Sequence, residues 1–314
     1  MATVNSNNYK VAIVKETSRG AQVLNLTTGG GVFFADKFTW NNEPITVDLE
    51  KKNNSLYENE DRTLIVGEHV TGTLSGALTD MHEILLQAHF DDTASPYLYA
   101  AAMPTAFTYN VYQLYLDAAG ACTSYDVLLG CNINPLSITG KPNDILQYSA
   151  TIDATSYLQG LLNSSGSALT LAAGIPVTGT PFKFGDVTAA MIFGETEILN
   201  FNLELSKTLV DNDMRFQNSK TKTNDDYIGV GGTLSYDVKW SPGIDKAYMY
   251  NQSALSGSLT LVNASKTWTI GYNGIVTQAD RPDADRGLFI GTYAMKLTTT
   301  SVADAPIEIS VASV

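Results

Sequence analysis

Charged residues, histidines and cysteines are scarce in this chain of 314 residues, and each shortage argues against a class of function. Charged residues make up 16% of the sequence, and only three histidines are present to titrate near neutral pH or to bind a metal. Lysine and arginine number 19 against 32 aspartates and glutamates, which gives a net charge of −13. Phosphate binding depends on clustered cations, so this balance argues against a protein that grips nucleic acid.

Targeting and membrane segments are also missing from the pattern. The first eight residues hold neither the basic start nor the apolar stretch of a signal peptide, and no apolar run approaches the length of a membrane span. We therefore expect synthesis in a reducing cytoplasm and no membrane partner. The two cysteines, Cys122 and Cys131, are expected to be free thiols there, with a hairpin disulfide between them as the alternative.

Recognisable catalytic motifs are absent, and we expect a protein that is not an enzyme and has no cofactor. No Gly-x-Ser-x-Gly turn occurs, and Gly29–Gly31 lacks the lysine of a phosphate loop. His82 and His89 share one face of a predicted helix, but two ligands without a third make a weak metal site, so a helix-surface role is expected. The carboxylates of 280–286 stand among arginines, which favours a solvated loop over a calcium site. Carboxylate pairs for glycoside hydrolysis are not singled out by any pattern.

What the chain does contain is typical of a mainly β protein. Hydrophobic residues reach 44%, enough for a core, and Thr, Ser, Asn, Gly and Tyr are abundant. This mixture favours many short strands joined by turns, with uncharged polar surfaces that can pack against copies of themselves.

Two strand-like patterns from the first half return in the second half in the same order. The alternation of Ile45–Lys51 matches that of Phe201–Lys207, and the tetrapeptide Gly-Thr-Leu-Ser of 72–75 recurs unchanged at 232–235. Alternation and a short tetrapeptide also arise by chance, but the conserved order favours a duplicated β unit.

The duplication predicts two tandem domains. The first spans 1–160 and includes an N-terminal arm, a small-residue linker covers 161–181, and the second spans 182–314. Each half is expected to form a β-sandwich or barrel-like unit with a flanking α-helix, at Asp80–Phe90 in the first and Ile244–Leu255 in the second.

Long polar segments occupy matching places in the two halves, after the first strand of each echo. Lys51–Arg62 and Asp211–Asp226 carry mixed charges that would order poorly alone, so we predict arms that contact neighbouring subunits. The candidate contact residues are Lys51, Lys52, Tyr57, Glu58, Glu60, Asp211, Asp213, Arg215, Phe216, Lys220 and Lys222.

Together these features resemble the tail tube (major tail) proteins of long-tailed bacteriophages, in the branch whose chains carry two tandem tube domains. The stretches that carry the resemblance are Val14–Gly20, Gly72–Ser75 leading into Ile84–Leu86, Phe182–Val187 with Leu199–Leu205, and Gly232–Ser235 followed by Trp240 and Tyr248. They cover most of the chain, although each motif alone is unspecific, and 93–108 and 160–181 are longer than the family pattern needs.

The resemblance implies a structural virion protein located in the phage tail. Such units pair strands across subunits into a continuous barrel around a channel, and a two-domain chain would close a pseudo-six-fold ring with three copies. The implied partners are copies of itself in stacked rings, other tail proteins, and phage DNA that passes through without specific binding. The alternatives are a head decoration or tail-terminator protein and, further off, a carbohydrate-binding β-sandwich.

The alternation of the echoed strands also predicts which side chains would line such a channel. The apolar set of each strand must face the core, because a one-residue slip would bury charges. The opposite face would then be polar and negative, and would repel passing DNA. The alternative is an ordinary solvent-facing outer sheet. The predicted lumen residues are Thr46, Asp48, Glu50, Thr73, Ser75, Asn202, Glu204, Thr233, Ser235 and Asp237.

Overall fold

The fold is taken from a computed structural model of the chain. It describes residues 9–26, 30–33, 35–48, 63–99, 108–116, 122–161, 169, 179–191, 197–209, 227–239, 254–279, 283–285, 288–298 and 305–314. At 30, 44–48, 63–68, 159–161, 209, 227–228, 283–285 and 288–289 the description is of the backbone alone.

The described residues are mainly β, as the composition predicted, with seventeen strands and one short α-helix. In chain order the strands are β1 (Tyr9–Lys15), β2 (Gly30–Phe33), β3 (Lys37–Asp48), β4 (Thr63–Ala77), β5 (Tyr97–Leu98), β6 (Tyr109–Leu116), β7 (Cys122–Gly140), β8 (Gln147–Ala154), β9 (Ser156–Leu161), β10 (Val187–Ala190), β11 (Ile198–Leu209), β12 (Tyr227–Lys239), β13 (Leu255–Val262), β14 (Lys266–Ala279), β15 (Asp283–Asp285), β16 (Leu288–Leu297) and β17 (Ile307–Ser313).

All of these strands pair antiparallel, in one hydrogen-bonded network that passes through two long strands. The first half of β7 pairs with β6 and β9, and its second half pairs with β8 and β11. β14 likewise pairs with β13 and β17 over its first half and with β16 over its second. Each long strand therefore belongs to two sets of neighbours.

The same pairing scheme occurs twice along the chain. β3–β4–β8–β7 is matched by β11–β12–β16–β14, and β1–β6–β7–β9 is matched by β10–β13–β14–β17. The two sets are joined edge to edge, because β11 pairs with β7. The division of the chain into two domains stays a prediction, since this pairing makes one sheet continuous through both halves.

The register refines one of the sequence echoes. Phe38 lies opposite Leu74, as Leu203 lies opposite Leu234, so the identical tetrapeptides do occupy matching strands. On the strands that pair with these tetrapeptides, however, Phe38 of β3 is equivalent to Leu203 of β11. The sequence echo had instead aligned Val47 with Leu203. Alternation alone does not fix register, because every second residue of a half-buried strand looks alike.

Side chains from opposed layers fill one core. Val11 and Ile13 of β1 pack in the same apolar cluster as Leu74 of β4 and Leu203 of β11. The alternate residues of β1, Ala12 and Val14, lie in a second cluster. Sheets that bury one face against each other in this way form the sandwich-like packing expected of such strands.

The predicted first helix is present as a 3-10 turn (Asp80–His82) that continues into α1 (Glu83–Phe90). Thr79 caps it, with its side chain accepting from Met81 N. The helix is buried on most of its faces, with Ile84, Leu85 and Ala88 among its buried residues. The second predicted helix, 244–255, lies outside the described residues except at its end, where Leu255 already begins β13 rather than a helix.

Parts of the predicted linker are packed against the fold. Leu169 is buried in the second apolar cluster, and Pro181 forms an isolated bridge with Thr79. Phe182, directly after the linker, is fully buried beside Trp268, with ring centroids 5.2 Å apart. These contacts tie the described part of the connector to α1 and to the second half.

Candidate assembly surface

A polar face runs across eight paired strands, from β3 to β14. Cross-strand neighbours in an antiparallel sheet point to the same side, so the pairing register traces each row of this face. One row is Lys37, Ser75, Ser149, Ser137, Glu204, Thr233, Lys296 and Ile275. The next is Ala77, Gln147, Thr139, Asn202, Ser235, Ala294 and Gln278. We call this surface the polar face.

The residues that alternate with the polar face are buried in the core. Leu74, Ala150, Leu136 and Leu205 lie on consecutive strands of the same sheet, and each is at most 1% exposed. The sheet therefore has one apolar side packed inside and one side of hydroxyl, amide and charged groups. This confirms the alternation expected for the two echoed strand pairs at the residues whose side chains are described.

The described part of the polar face carries one more carboxylate than lysine, so its net charge has the predicted negative sign but is small. Four carboxylates lie on it, from Glu43, Asp153, Glu204 and Asp237, together with three lysines, Lys37, Lys239 and Lys296. The predicted face comprised only the echoed strands, whereas the observed pairing adds β8, β7 and β16 to it. The lysines are spread over three strands, so no cation cluster forms among these residues.

Two of the predicted lumen carboxylates differ in their surroundings. Glu204 is exposed between Ser137 and Thr233. Asp237 is half-buried and accepts hydrogen bonds from Asn200 Nδ2 and Thr292 Oγ1, both at 2.6 Å. Glu204 is therefore free to act through its charge, whereas Asp237 also ties three strands together.

The structure places most of the other predicted lumen residues on the polar face. Thr73, Ser75, Asn202, Thr233 and Ser235 are half-buried or exposed at their expected registers. Thr46 and Asp48 lie in β3, but only their backbone is described, and Glu50 lies outside the described residues. All the predicted subunit-contact residues, from Lys51 to Glu60 and from Asp211 to Lys222, also lie outside them.

The polar face ends at two strand edges. In the described part of the chain, β3 pairs along one side only, with β4. At the other end, β13 pairs with β14 as far as Gly274. Beyond Gly274, β16 is the only described strand that pairs with β14. Strand edges that carry outward N–H and C=O groups are templates for pairing with another chain.

A buried polar cluster fixes the place where β11 joins β7. Asn134 of β7 accepts from Lys207 N at 2.7 Å and donates through Nδ2 to Lys207 O at 2.6 Å. Lys207 Nζ then reaches Asp91 Oδ2 at 2.9 Å, with both side chains 2% exposed. Asp91 is the left-handed residue that ends α1. One lysine therefore connects the second half to a strand and to the helix of the first.

Both helix histidines are buried, which corrects the surface role expected from sequence. His82 lies between Phe33 and Tyr148, with ring centroids 4.4 and 4.3 Å away, and burial lowers its pKa to about 4. His89 Nδ1 donates to Ile133 O at 3.0 Å, and its Nε2 accepts from Tyr99. Burial, followed by the charge of nearby Lys207, also lowers the pKa of His89. Sequence spacing could not reveal this, because the helix is covered on nearly every side.

Glu16, in one of the stretches that carry the family resemblance, binds four donors. Its carboxylate accepts from Gly20 N at 2.8 Å, Gly130 N at 2.6 Å and Thr108 Oγ1 at 2.6 Å, and also from Asn110 Nδ2. The side chain thus pins the turn after β1 to β6 and β7. Sequence reasoning assigned it no role.

The remaining chemistry of the described residues is sparse. Cys122 and Cys131 are free, so the alternative disulfide is not formed, and burial raises the pKa of the Cys122 thiol to about 11. No group of three or more His, Cys, Asp or Glu able to hold a metal occurs among the described residues. Nor is any helix described there long and apolar enough to cross a membrane.

Comparison with known proteins gives the chain no family. No protein-family model matches it, and no curated protein matches it either. The assignment of function therefore depends on the polar face, its two edges and the sequence resemblance.

Proposed function

We propose that this protein is a structural subunit that assembles with copies of itself into stacked rings, forming the tail tube through which a bacteriophage ejects its DNA. The observation that carries the proposal is the polar face, which extends over eight strands and ends at two strand edges. A sheet with one buried side and one polar side needs only edge-to-edge pairing between copies to become a closed wall around a wet channel.

The twofold pairing scheme supports a ring of three copies. Each chain supplies two four-stranded sectors, β3–β4–β8–β7 and β11–β12–β16–β14, which are already joined in the way that sectors of a ring would be. Three copies would then supply six near-equivalent sectors. Closed rings of this kind also remove exposed strand edges, the usual hazard of β proteins.

The chemistry of the polar face suits a conduit that does not hold DNA. Hydroxyl and amide groups predominate in its rows, and its lysines are separated by carboxylates such as Glu204. Tight phosphate binding needs several clustered cations, so a passing duplex would find no strong site on this surface. The small net negative charge of the described part of the face favours weak repulsion of a passing duplex rather than binding.

Negative-stain electron microscopy of the concentrated, purified chain tests the proposal. We expect rings or hollow tubes with a central channel. Compact particles without a channel at every concentration would contradict it and would favour a decoration protein or a carbohydrate-binding β-sandwich. Ring closure without stacking would instead favour a tail terminator.

A further inference from the structure

We propose that the β3 edge of one copy pairs antiparallel with the β14 edge of a second copy, in the register that β7 and β11 already have within the chain. This inference rests on the proposed function, since it states how the copies join. The internal β7–β11 junction supplies its geometry.

The first step is the equivalence of β3 with β11. Both strands pair with a strand that carries the Gly-Thr-Leu-Ser sequence, and the register places Thr39 opposite Thr73 and Glu204 opposite Thr233. Because Thr73 and Thr233 occupy the same place in the two tetrapeptides, Thr39 corresponds to Glu204.

The second step is the equivalence of β7 with β14. Ser75 leads across β8 through Ser149 to Ser137 on β7. In the second half, Ser235 leads across β16 through Ala294 to Gln278 on β14. Ser137 therefore corresponds to Gln278.

The third step compares the edges of the two long strands. On β7, β6 runs along one edge as far as Cys131, and β11 takes over that edge from Leu136 to Gly140. On β14, β13 runs along the matching edge as far as Gly274. In the described part of the chain, no strand pairs with this edge of β14 beyond Gly274. The edge of β14 that is equivalent to the β11-paired edge of β7 therefore has no described partner strand.

The outer edge of β3 has a backbone orientation that suits pairing with this edge of β14. Phe38 N–H donates to Tyr9 Oη at 2.8 Å, so it points away from β4. In the junction a carbonyl of the second copy would replace the Tyr9 hydroxyl. The internal pair Glu204–Ser137 then predicts Thr39 of one copy opposite Gln278 of the next.

The apolar side of the junction is complementary in the same register. Leu205 pairs with Leu136 inside the chain, and their counterparts are Trp40 and Val276, with the extra residue of the β14 bulge, Thr277, between Val276 and Gln278. Trp40 is half-buried against Tyr157, with ring centroids 5.0 Å apart, and Val276 is 3% exposed. Pairing of the edges would place Trp40 beside Val276 and extend the core across the interface, while Thr39 and Gln278 would extend the polar face.

Disulfide trapping tests this register. Thr39→Cys and Gln278→Cys are introduced together in a Cys122→Ser background, and assembled particles are oxidised and run on a denaturing gel without reductant. Residues directly opposite in an antiparallel pair lie about 4.5–5.5 Å apart, within disulfide reach. We expect covalent dimers and trimers, with the ladder ending at three if the ring closes with three copies.

Two matched variants control the chemistry. Ser137→Cys with Glu204→Cys places the same pair inside one chain and should oxidise within the monomer. Lys37→Cys with Gln278→Cys lies two residues out of register, about 7–8 Å apart on the diagonal, and should cross-link poorly. Microscopy before oxidation establishes that each variant assembles.

The outcomes separate this inference from the proposed function. Particles that assemble but give no Thr39–Gln278 cross-link, while the internal control oxidises, would overturn the edge assignment and leave the tube standing. Cross-linking equal to that of the out-of-register pair would overturn the register. Failure of the unmodified chain to form any ring or tube would overturn the proposed function and the inference together. A ladder that continues past three would overturn closure by three copies.

Discussion

Lys207 of β11 and Asp91 at the end of α1 form an ion pair of 2.9 Å with both side chains almost fully removed from solvent. Burying two charges costs several kcal/mol in desolvation, which only good geometry and further hydrogen bonds can offset. Here the backbone of Lys207 is also held by Asn134 on both its N–H and its C=O. The pair therefore fixes how the two halves of the continuous sheet meet.

Removing one partner of this buried ion pair should lower the free energy of unfolding. Lys207→Met leaves the Asp91 carboxylate buried without its cation, and we expect unfolding free energy to fall by about 3–5 kcal/mol. Asp91→Asn added to Lys207→Met should recover a large part of the loss, since no charge then remains buried. Urea denaturation checks both, with the exposed Lys239→Met as the control. Equal stability of Lys207→Met and Lys239→Met would contradict the account.

The Glu16 carboxylate should be a second sensitive point. Glu16→Gln keeps the shape of the side chain but turns one acceptor into a donor that faces N–H or O–H groups. We expect a loss of about 2–3 kcal/mol, from weakened hydrogen bonds and an opposed donor. Glu43→Gln, at an exposed position on β3, is the matched control and should change stability by less than about 0.5 kcal/mol. A small effect at both positions would show that the turn after β1 is held by other contacts.

The buried histidines predict a loss of stability in mild acid. Because burial lowers the pKa of His82 to about 4, the unfolded chain binds a proton below the ordinary value of 6.5 while the folded chain does not. Unfolding is therefore favoured progressively as pH falls from 6.5 toward 4. At pH 5 this amounts to about 2 kcal/mol for such a histidine relative to pH 7.5.

Denaturation at pH 7.5 and pH 5.0 measures that effect. His82→Gln should reduce the difference between the two pH values by about 2 kcal/mol. A pH dependence identical in the His82 variant and the unmodified chain would contradict the buried, neutral state of His82.

If the proposed function is right, one added cation per chain should make the polar face bind DNA. Glu204→Lys places a cation in the same row as Lys296, with Thr233 between them, and the proposed stacking of rings would repeat it along the channel. We expect tubes assembled with short duplex DNA to retain nuclease-resistant DNA, at least about tenfold more than unmodified tubes and released by salt. Glu308→Lys, on β17, is the control, because DNA bound there would stay nuclease-sensitive. Retention equal to that of unmodified tubes would contradict a lumenal polar face.

Local pattern predicted individual elements better than their arrangement. β1, β6 and the capped helix at Thr79 follow from alternation and capping chemistry, which act between near neighbours in sequence. The junction of β11 with β7 joins residues far apart along the chain, and no alternation specifies it. Lys207 illustrates the difference, because only its distant partner Asp91 explains a lysine on the apolar side of β11.

The polar face shows the same limit in its charges. Glu204 and Thr233 were identifiable from sequence because both lie in the echoed strands. Lys296 and Asp153 were not, since β16 and β8 join the sheet through long-range pairing. The size of the net charge on the face depends on these later strands, so the sequence could predict the polarity of the face but not its full set of charges.

An averaged cross-section of the assembled particle by cryo-electron microscopy tests the central claim most directly. The account predicts a hollow ring of three chains with six near-equivalent sectors, and with Glu204 and Thr233 facing the channel. A ring whose polar face is turned outward, or a particle without a channel, would contradict it.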